Sequence, residues 1–389
     1  MTDDGIQLPG LLRTAEAAAP AESVDVVTED LRRRFRAETV SFLIVDLTGK
    51  AVVRLSTAGS VGSVESGQEA DRIDLIGGVY GQVVRTQQLY QDPVARGQRV
   101  ITPVTHRGDA IGLLELTFPT APDDQVLHAV REAARALAYI VIVNQRFTDL
   151  YTWGKRTTPI SLSAEIQHQL LPPSLTCETA EFTVAGALEP SATISGDTFD
   201  YALDREALHL SVTDPMGHDL YAALMSIVLM SALRRARRAG AGLAEQAREA
   251  DQALLGYGKG HATGQLLRID MSDGRNQFVN AGHPWPLRVR DGRVEEVTLA
   301  ADEPFGLPFP HTYQVQSLDL RPGDRLVMLT DGMLERGAED VVLPDVLRNS
   351  RGLHPREAAL NLTTAVLDAN DGQLEDDATI MVLDWRGTG

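Results

Sequence analysis

Residues 182–385 contain eight apolar runs of strand length and only three of helical length, and no other feature restricts the fold as much. The strand-like runs are FTVAGALE (182–189), DTFDYALD (197–204), ALHLSVTD (207–214), GQLLRID (264–270), QFVNAG (277–282), PLRVR (286–290), DRLVMLTD (324–331) and ATIMVLDW (378–385). Helical patterning covers 219–238, 242–255 and 355–369. Many short strands with a few long helices predict a β-sandwich flanked by helices, an α+β domain spanning residues 161–389.

The ends of these runs carry the chemistry. Asp197 opens one run, Asp214 and Asp331 close two others, and Asp376 and Asp377 lead into the last. Asp-Gly after a strand is ordinarily a turn, and the glycines in SGD and TDG fit that reading, so each aspartate alone says little. As a set at one rim, the carboxylates repel one another unless a cation sits among them. Oxygen donors suit magnesium, manganese or calcium rather than zinc. Cys177 is the only cysteine, which excludes an internal disulfide and a multi-thiolate zinc site.

Upstream the pattern changes to that of an α/β sensor-sized domain over residues 1–121. A helical stretch (22–36) precedes strands at 39–47 and 51–56, and a Gly/Ser-rich loop covers 57–70. A short helix and a strand lie within 77–92, and a hairpin turned at RGD fills 99–119. Residues 122–160 read as a helical linker, with one long helix over 122–152. Leu127, Val130, Ala134, Leu137, Val141, Asn144, Thr148 and Tyr151 recur at three- and four-residue steps, a seam suited to a coiled-coil homodimer. The alternative is that this helix packs back on its own sheet. A second short helix follows in SLSAEIQHQLLPPSL (161–175), capped by Ser161 and stopped by two prolines, with Leu162, Ile166 and Leu170 on one face.

Charge narrows the partners. Lys and Arg number 36 against 54 Asp and Glu, a formal net charge of −18, so neither nucleic acid nor an anionic membrane is an expected partner. The one basic cluster, RRARR (234–238), ends a helix, where positive charge suits the dipole; a local docking patch is the alternative. No run of eighteen apolar residues occurs, and the acidic MTDDGIQLPG start lacks signal-peptide character. A cytoplasmic protein is the expectation.

The ordered motifs resemble the metal-dependent PPM (type 2C) serine/threonine phosphatases, in their bacterial SpoIIE/RsbU branch. The resemblance rests on EIQHQLLPPSL, SGDTFDYAL, TDPMGHDLYAALM, VNAGHPWPL, FGL, LRPGDRLVMLTDGMLE and DDATIMVL, in that order. It implies two Mn2+ or Mg2+ ions that activate a water for attack on a phosphoserine or phosphothreonine, without a phosphoenzyme. Asp214 is similar to the residue that bridges the two ions, and the Pro215 carbonyl to a ligand of the first. Asp197 matches the early acidic position, Asp331 a ligand of the second ion, and Asp376 the final ligand, with Asp377 as its alternative. The implied substrate is a STAS-type anti-anti-sigma factor, and the implied switch is the linker helix with residues 161–171, its regulatory positions being Leu137, Val141, Ile166 and Leu170.

Departures are Pro215 after the bridging aspartate, Asp219 after Gly217-His218, Ser195 in place of a first glycine, Thr198 where an aromatic is common, and Met216 where animal-type relatives carry a histidine acid. They motivate a second reading, a weak or inactive phosphatase that serves as a partner-binding regulator. His218 and His283 read more simply as loop residues than as acids. VITPVTHRGDAIGLLELTF resembles a GAF domain, which implies a sensor, although no bilin cysteine or cyclic-nucleotide motif accompanies it. SGDTFD also brings a diguanylate cyclase to mind, but the β-rich sequence after it lacks the alternating frame of that fold.

Overall fold

The computed structural model describes residues 8–58, 72–156, 161–191, 196–217, 220–258, 260–334 and 343–388. The chain divides into two compact units, Met1–Pro159 and Ile160–Gly389. Most of the Gly/Ser-rich loop, and His218 and Asp219, lie outside the described residues.

In the first unit, α1 (Leu8–Glu16) and α2 (Ser23–Phe35) precede β1 (Thr39–Val45), β2 (Ala51–Ala58) and β3 (Arg72–Asp74). Then come α3 (Val79–Thr86), β4 (Tyr90–Val94), β5 (Gly97–His106), β6 (Asp109–Phe118), α4 (Asp124–Asn144) and α5 (Leu150–Gly154). The strands form one antiparallel sheet in the order β3-β2-β1-β6-β5-β4. Strand β1 is apolar without alternation because both its faces are covered. Phe42 and Ile44 join a core with α1, α2 and α4, whereas Leu43 and Val45 join one with α3.

This arrangement corrects the coiled-coil expectation. Leu137 and Val141 are buried in the unit's own core, so their seam faces the sheet and is closed to a second copy. The helix also stops at Asn144 rather than running to residue 152, and Tyr151 packs into the same core from α5, its hydroxyl 3.2 Å from Ser23 Oγ. Residues 122–159 are therefore part of the first unit and not a separate linker. Periodicity alone cannot tell these outcomes apart, because a sheet and a partner helix select the same apolar stripe.

The second unit begins with α6 (Leu162–Leu170), β7 (Thr176–Glu178), β8 (Phe182–Glu189), β9 (Thr198–Leu203) and β10 (Ala207–Pro215). Helices α7 (Leu220–Arg238) and α8 (Leu243–Tyr257) follow, then β11 (Ala262–Asp270), β12 (Asn276–Ala281), β13 (Leu287–Arg290), β14 (Arg293–Glu296) and β15 (Arg325–Leu329). The chain ends with α9 (Leu343–Asn349), α10 (Pro355–Ala369) and β16 (Ala378–Trp385). One sheet has the order β12-β11-β10-β9 and the other β14-β13-β15-β16-β8-β7.

Alternation along the strands builds the layers. Leu208, Leu210 and Val212 of β10 meet Leu326, Met328, Met381 and Leu383 of the other sheet in the central core. Outward-facing Leu266 and Val279 pack under α7 and α8, and outward-facing Val327, Leu329 and Val382 pack under α9 and α10. The result is helix, sheet, sheet, helix. Among the described residues, no helix is long and apolar enough to cross a membrane.

Candidate active site

The alternation that buries Leu208, Leu210 and Val212 also sends Asp214 to the inner face, at the end of β10. In the β9–β10 register, Thr198 lies opposite Thr213, so the next step places Asp197 opposite Asp214. From the other sheet, β15 runs through Leu329 and Thr330 into a single 3-10 turn, Asp331–Met333. Beside it β16 starts at Ala378, immediately after Asp376 and Asp377. The two sheets thus deliver all five aspartates to one rim of the sandwich.

Two glycines allow the rims to close. A Cβ on Gly332 would stand 2.1 Å from the Asp377 carbonyl oxygen, and one on Gly196 would stand 2.8 Å from the Ala222 carbonyl oxygen. Gly196 also accepts a short hydrogen bond from Ser226 Oγ on α7. The glycines of TDG and SGD are thus needed for close approach.

Asp214 is the centre of the cluster, with its carboxyl in hydrogen-bond contact with those of Asp197 and Asp331. Burial, and then the charges of Asp331 and Asp376, push Asp214 up to about 8. Asp197 is raised well above the usual carboxylate range by burial, then by Asp214 and Asp377. Asp331 is raised by burial and by Asp376. Crowded carboxylates must hold protons or accept a cation.

Asp376 and Asp377 differ in their surroundings. Asp377 is buried and accepts from the Ser191 N–H at 2.8 Å and, in a short hydrogen bond, from Gln167 Nε2. Asp376 is half-buried; its Oδ1 takes the Asp377 N–H at 2.8 Å, and its charge acts on Asp331 and Asp214. Asp197 is held by Thr330 Oγ1, which donates at 2.6 Å.

The donor set is all oxygen and suits a hard divalent cation in kind. Among the described residues, no group of three or more His, Cys, Asp and Glu is arranged to hold a metal ion as it stands. The carboxylates instead meet in pairs through Asp214, and a coordination sphere requires them to turn toward a common point. Pro215 occupies the last position of β10, opposite Ala262 and beyond the β9 pairing, where its missing N–H costs little.

The sequence motifs did not single out Gln167. Its side chain is buried, and its Nε2 donates to the Asp197 carbonyl at 2.8 Å as well as to Asp377. Helix α6 therefore touches the carboxylate rim through a polar residue. Of the apolar positions expected to matter there, Ile166 and Leu170 are half-buried and Leu162 is exposed. A glutamine inside an apolar heptad, followed by the proline stop, is the signal that marks it.

His283 is a loop anchor. Its N–H donates to Asn280 Oδ1 at 2.7 Å, Asn280 Nδ2 donates to its carbonyl at 2.9 Å, and Nδ1 lies 2.7 Å from Thr263 Oγ1. Burial pushes the imidazole down to about 3, so it stays neutral. The basic cluster splits in two. Arg234 and Arg237 turn inward to Asp200 at 2.9 and 3.0 Å, and Arg234 Nη2 donates to the Leu170 carbonyl at 2.5 Å. Arg235 is exposed and pairs with Glu249. Half of the cluster that the alternative reading made a docking patch is thus internal structure.

Comparison with known proteins bears on this site. Residues 204–386 match the family described as Stage II sporulation protein E (SpoIIE). Phosphoserine phosphatase RsbP of Bacillus subtilis (strain 168) is 27% identical over 208 residues, covering 50% of this chain and 50% of RsbP. Phosphoserine phosphatase RsbU of the same organism is 21% identical over 281 residues, covering 70% of this chain and 83% of RsbU. Among solved structures, the PP2C phosphatase domain of SpoIIE from Bacillus subtilis with a fragment of its regulatory domain is 22% identical. Its TM-score is 0.47, over 54% of this chain and 66% of that one. This chain spans about half the length of RsbP.

Proposed function

From the match of residues 204–386 to the SpoIIE family we infer that they form a PPM phosphatase domain and that the chain is a metal-dependent serine/threonine phosphoprotein phosphatase. The observation that carries the reading is Asp214 in contact with both Asp197 and Asp331, with Asp376 beside them, at the rim where two sheets meet. Asp197, Asp214, Asp331, Asp376 and the Pro215 carbonyl would hold two Mn2+ or Mg2+ ions, with Asp377 as the alternative to Asp376. Such ions, when bound, supply a water of lowered pKa and neutralise phosphate oxygens.

The chain's own residues prepare the site. Thr330 sets the orientation of Asp197, and Gln167 with the Ser191 N–H holds Asp377 away from free rotation. Because Gln167 reaches both Asp197 and Asp377, a shift of α6 reaches the ligand set directly. On this reading, α6 is the regulatory switch and the N-terminal unit a GAF-like sensor. The substrate is a phosphoserine or phosphothreonine on a STAS-type anti-anti-sigma factor in the cytoplasm. RsbP and RsbU are named phosphoserine phosphatases, which supports the phosphomonoester class.

Manganese-dependent hydrolysis of p-nitrophenyl phosphate tests the reading. Wild-type protein turns over the ester, and Asp331→Ala loses at least ~10²-fold, the scale of one transition-state contact. Equal rates for the two proteins across a wide manganese range would instead support the weak or inactive, partner-binding alternative.

A further inference from the structure

Between β12 and β13 the chain leaves one sheet of the sandwich and enters the other. The crossing is made at the aspartate rim. Gly264 pairs with both Thr213 and Ala281, so β12 ends level with the end of β10, and β13 starts opposite Val327, ahead of Asp331. His283 is buried in this crossing. Its backbone N–H and carbonyl are both engaged by the Asn280 side chain, so the loop is held without the imidazole.

The ring reaches toward both sheets. Nδ1 lies 2.7 Å from Thr263 Oγ1, and Thr263 is the β11 residue directly opposite Asp214. Nε2 is buried and makes no full hydrogen bond among the described residues. The backbone group that acts on the ring is the Leu329 carbonyl, at the end of β15 and two residues before Asp331. With the Thr263 hydroxyl donating to Nδ1, the ring proton resides on Nε2 and faces that carbonyl. A buried donor without an acceptor is costly, so the ring favours a close approach of Leu329. Strands β11 and β15 lie in different sheets and share no ladder. A rigid ring whose two nitrogens face apart can link them. We propose that His283 is a positioning residue: its imidazole spans the two sheets behind the rim and limits how far Asp214 and Asp331 can separate. The proposal rests on the phosphatase reading for the ions that these carboxylates would share, and it adds the group that fixes their spacing.

The test uses the full chain. Mn2+ binding is read by titration calorimetry, and turnover of p-nitrophenyl phosphate is read across a range of manganese concentrations. His283→Asn keeps an amide beside Thr263 and loses the reach toward Leu329; His283→Gln keeps the reach and loses the Thr263 bond. Each weakens Mn2+ binding about tenfold, the lower end of the effect of groups that orient metal ligands. Saturating manganese returns turnover to within about threefold of the wild type, because every ligand is still present. Thr263→Val leaves the ring in place, removes its β11 partner and weakens Mn2+ in the same direction, which covers the case in which the ring variants do not fold. Wild-type Mn2+ affinity in His283→Asn or in Thr263→Val would reduce the side chain to a local anchor and overturn the proposal. A turnover defect that saturating manganese does not relieve would overturn it too. Asp331→Ala is the control: if it binds Mn2+ as tightly as the wild type, the metal-dependent reading itself fails, and the proposal with it.

Discussion

Asp197 and Asp200 lie three residues apart at the start of one strand, both buried, and their environments are opposite. Asp200 faces α7 and meets two guanidinium groups, Arg234 and Arg237. Asp197 faces the sandwich interior, where its strongest electrostatic neighbours are Asp214 and Asp377. The chain neutralises one carboxylate with its own cations and crowds the other with like charge. A structural charge is balanced internally; a charge left beside its own kind is balanced by what binds.

That comparison can be broken by mutation. The largest effect belongs to Asp200→Ala, which leaves two half-buried guanidinium groups and the Leu170 clamp without their anchor. A loss of about 3–5 kcal/mol in urea unfolding is the scale for one partner of a buried pair. A loss near zero would mean that the arginines are solvated instead. Asp197→Asn has the opposite sign: with chelator present, removal of one crowded carboxylate raises stability by about 1–2 kcal/mol. Destabilisation there would show that the Thr330 bond outweighs the repulsion.

The smallest effect checks a group remote from both. His354 caps α10 by accepting the Arg356 N–H at 3.2 Å, which requires a neutral ring, and burial pushes it down to about 4. The unfolded chain then takes up this proton first, near pH 6.5, so stability is lost as pH falls from there toward 4. His354→Asn keeps a capping acceptor without the titration. Its stability at pH 6 relative to pH 8 should exceed that of the wild type by about 1 kcal/mol. Parallel pH profiles would remove the cap from the argument.

Strands were legible where apolar residues alternate or run together. All eight expected runs in residues 182–385 coincide with a strand to within about two residues at either end, a typical boundary error. The run at 324–331 is strand only over Arg325–Leu329, because its last aspartate belongs to the 3-10 turn. Strand β14, with the sequence RVEE, was not legible, since a short, largely exposed edge carries no hydrophobic pattern. Helix α1 was missed for want of a cap signal beside its short apolar face. The linker misled because burial of Leu137 and Val141 depends on which surface is near, and one helix's period does not encode that.

Among the candidate site residues, the sequence by itself determined the kind of chemistry. Carboxylates at successive strand ends, in a chain with one cysteine, commit the rim to oxygen donors and hard cations. Only the tertiary structure decided which carboxylates meet. It joined Asp214 to Asp197 through strand register and to Asp331 across two sheets, gave Asp377 to Gln167, and gave Asp200 to the arginines. Side-chain direction along a strand has a period of two and can be read locally, but contact between strands distant in sequence is set by how the two sheets pack.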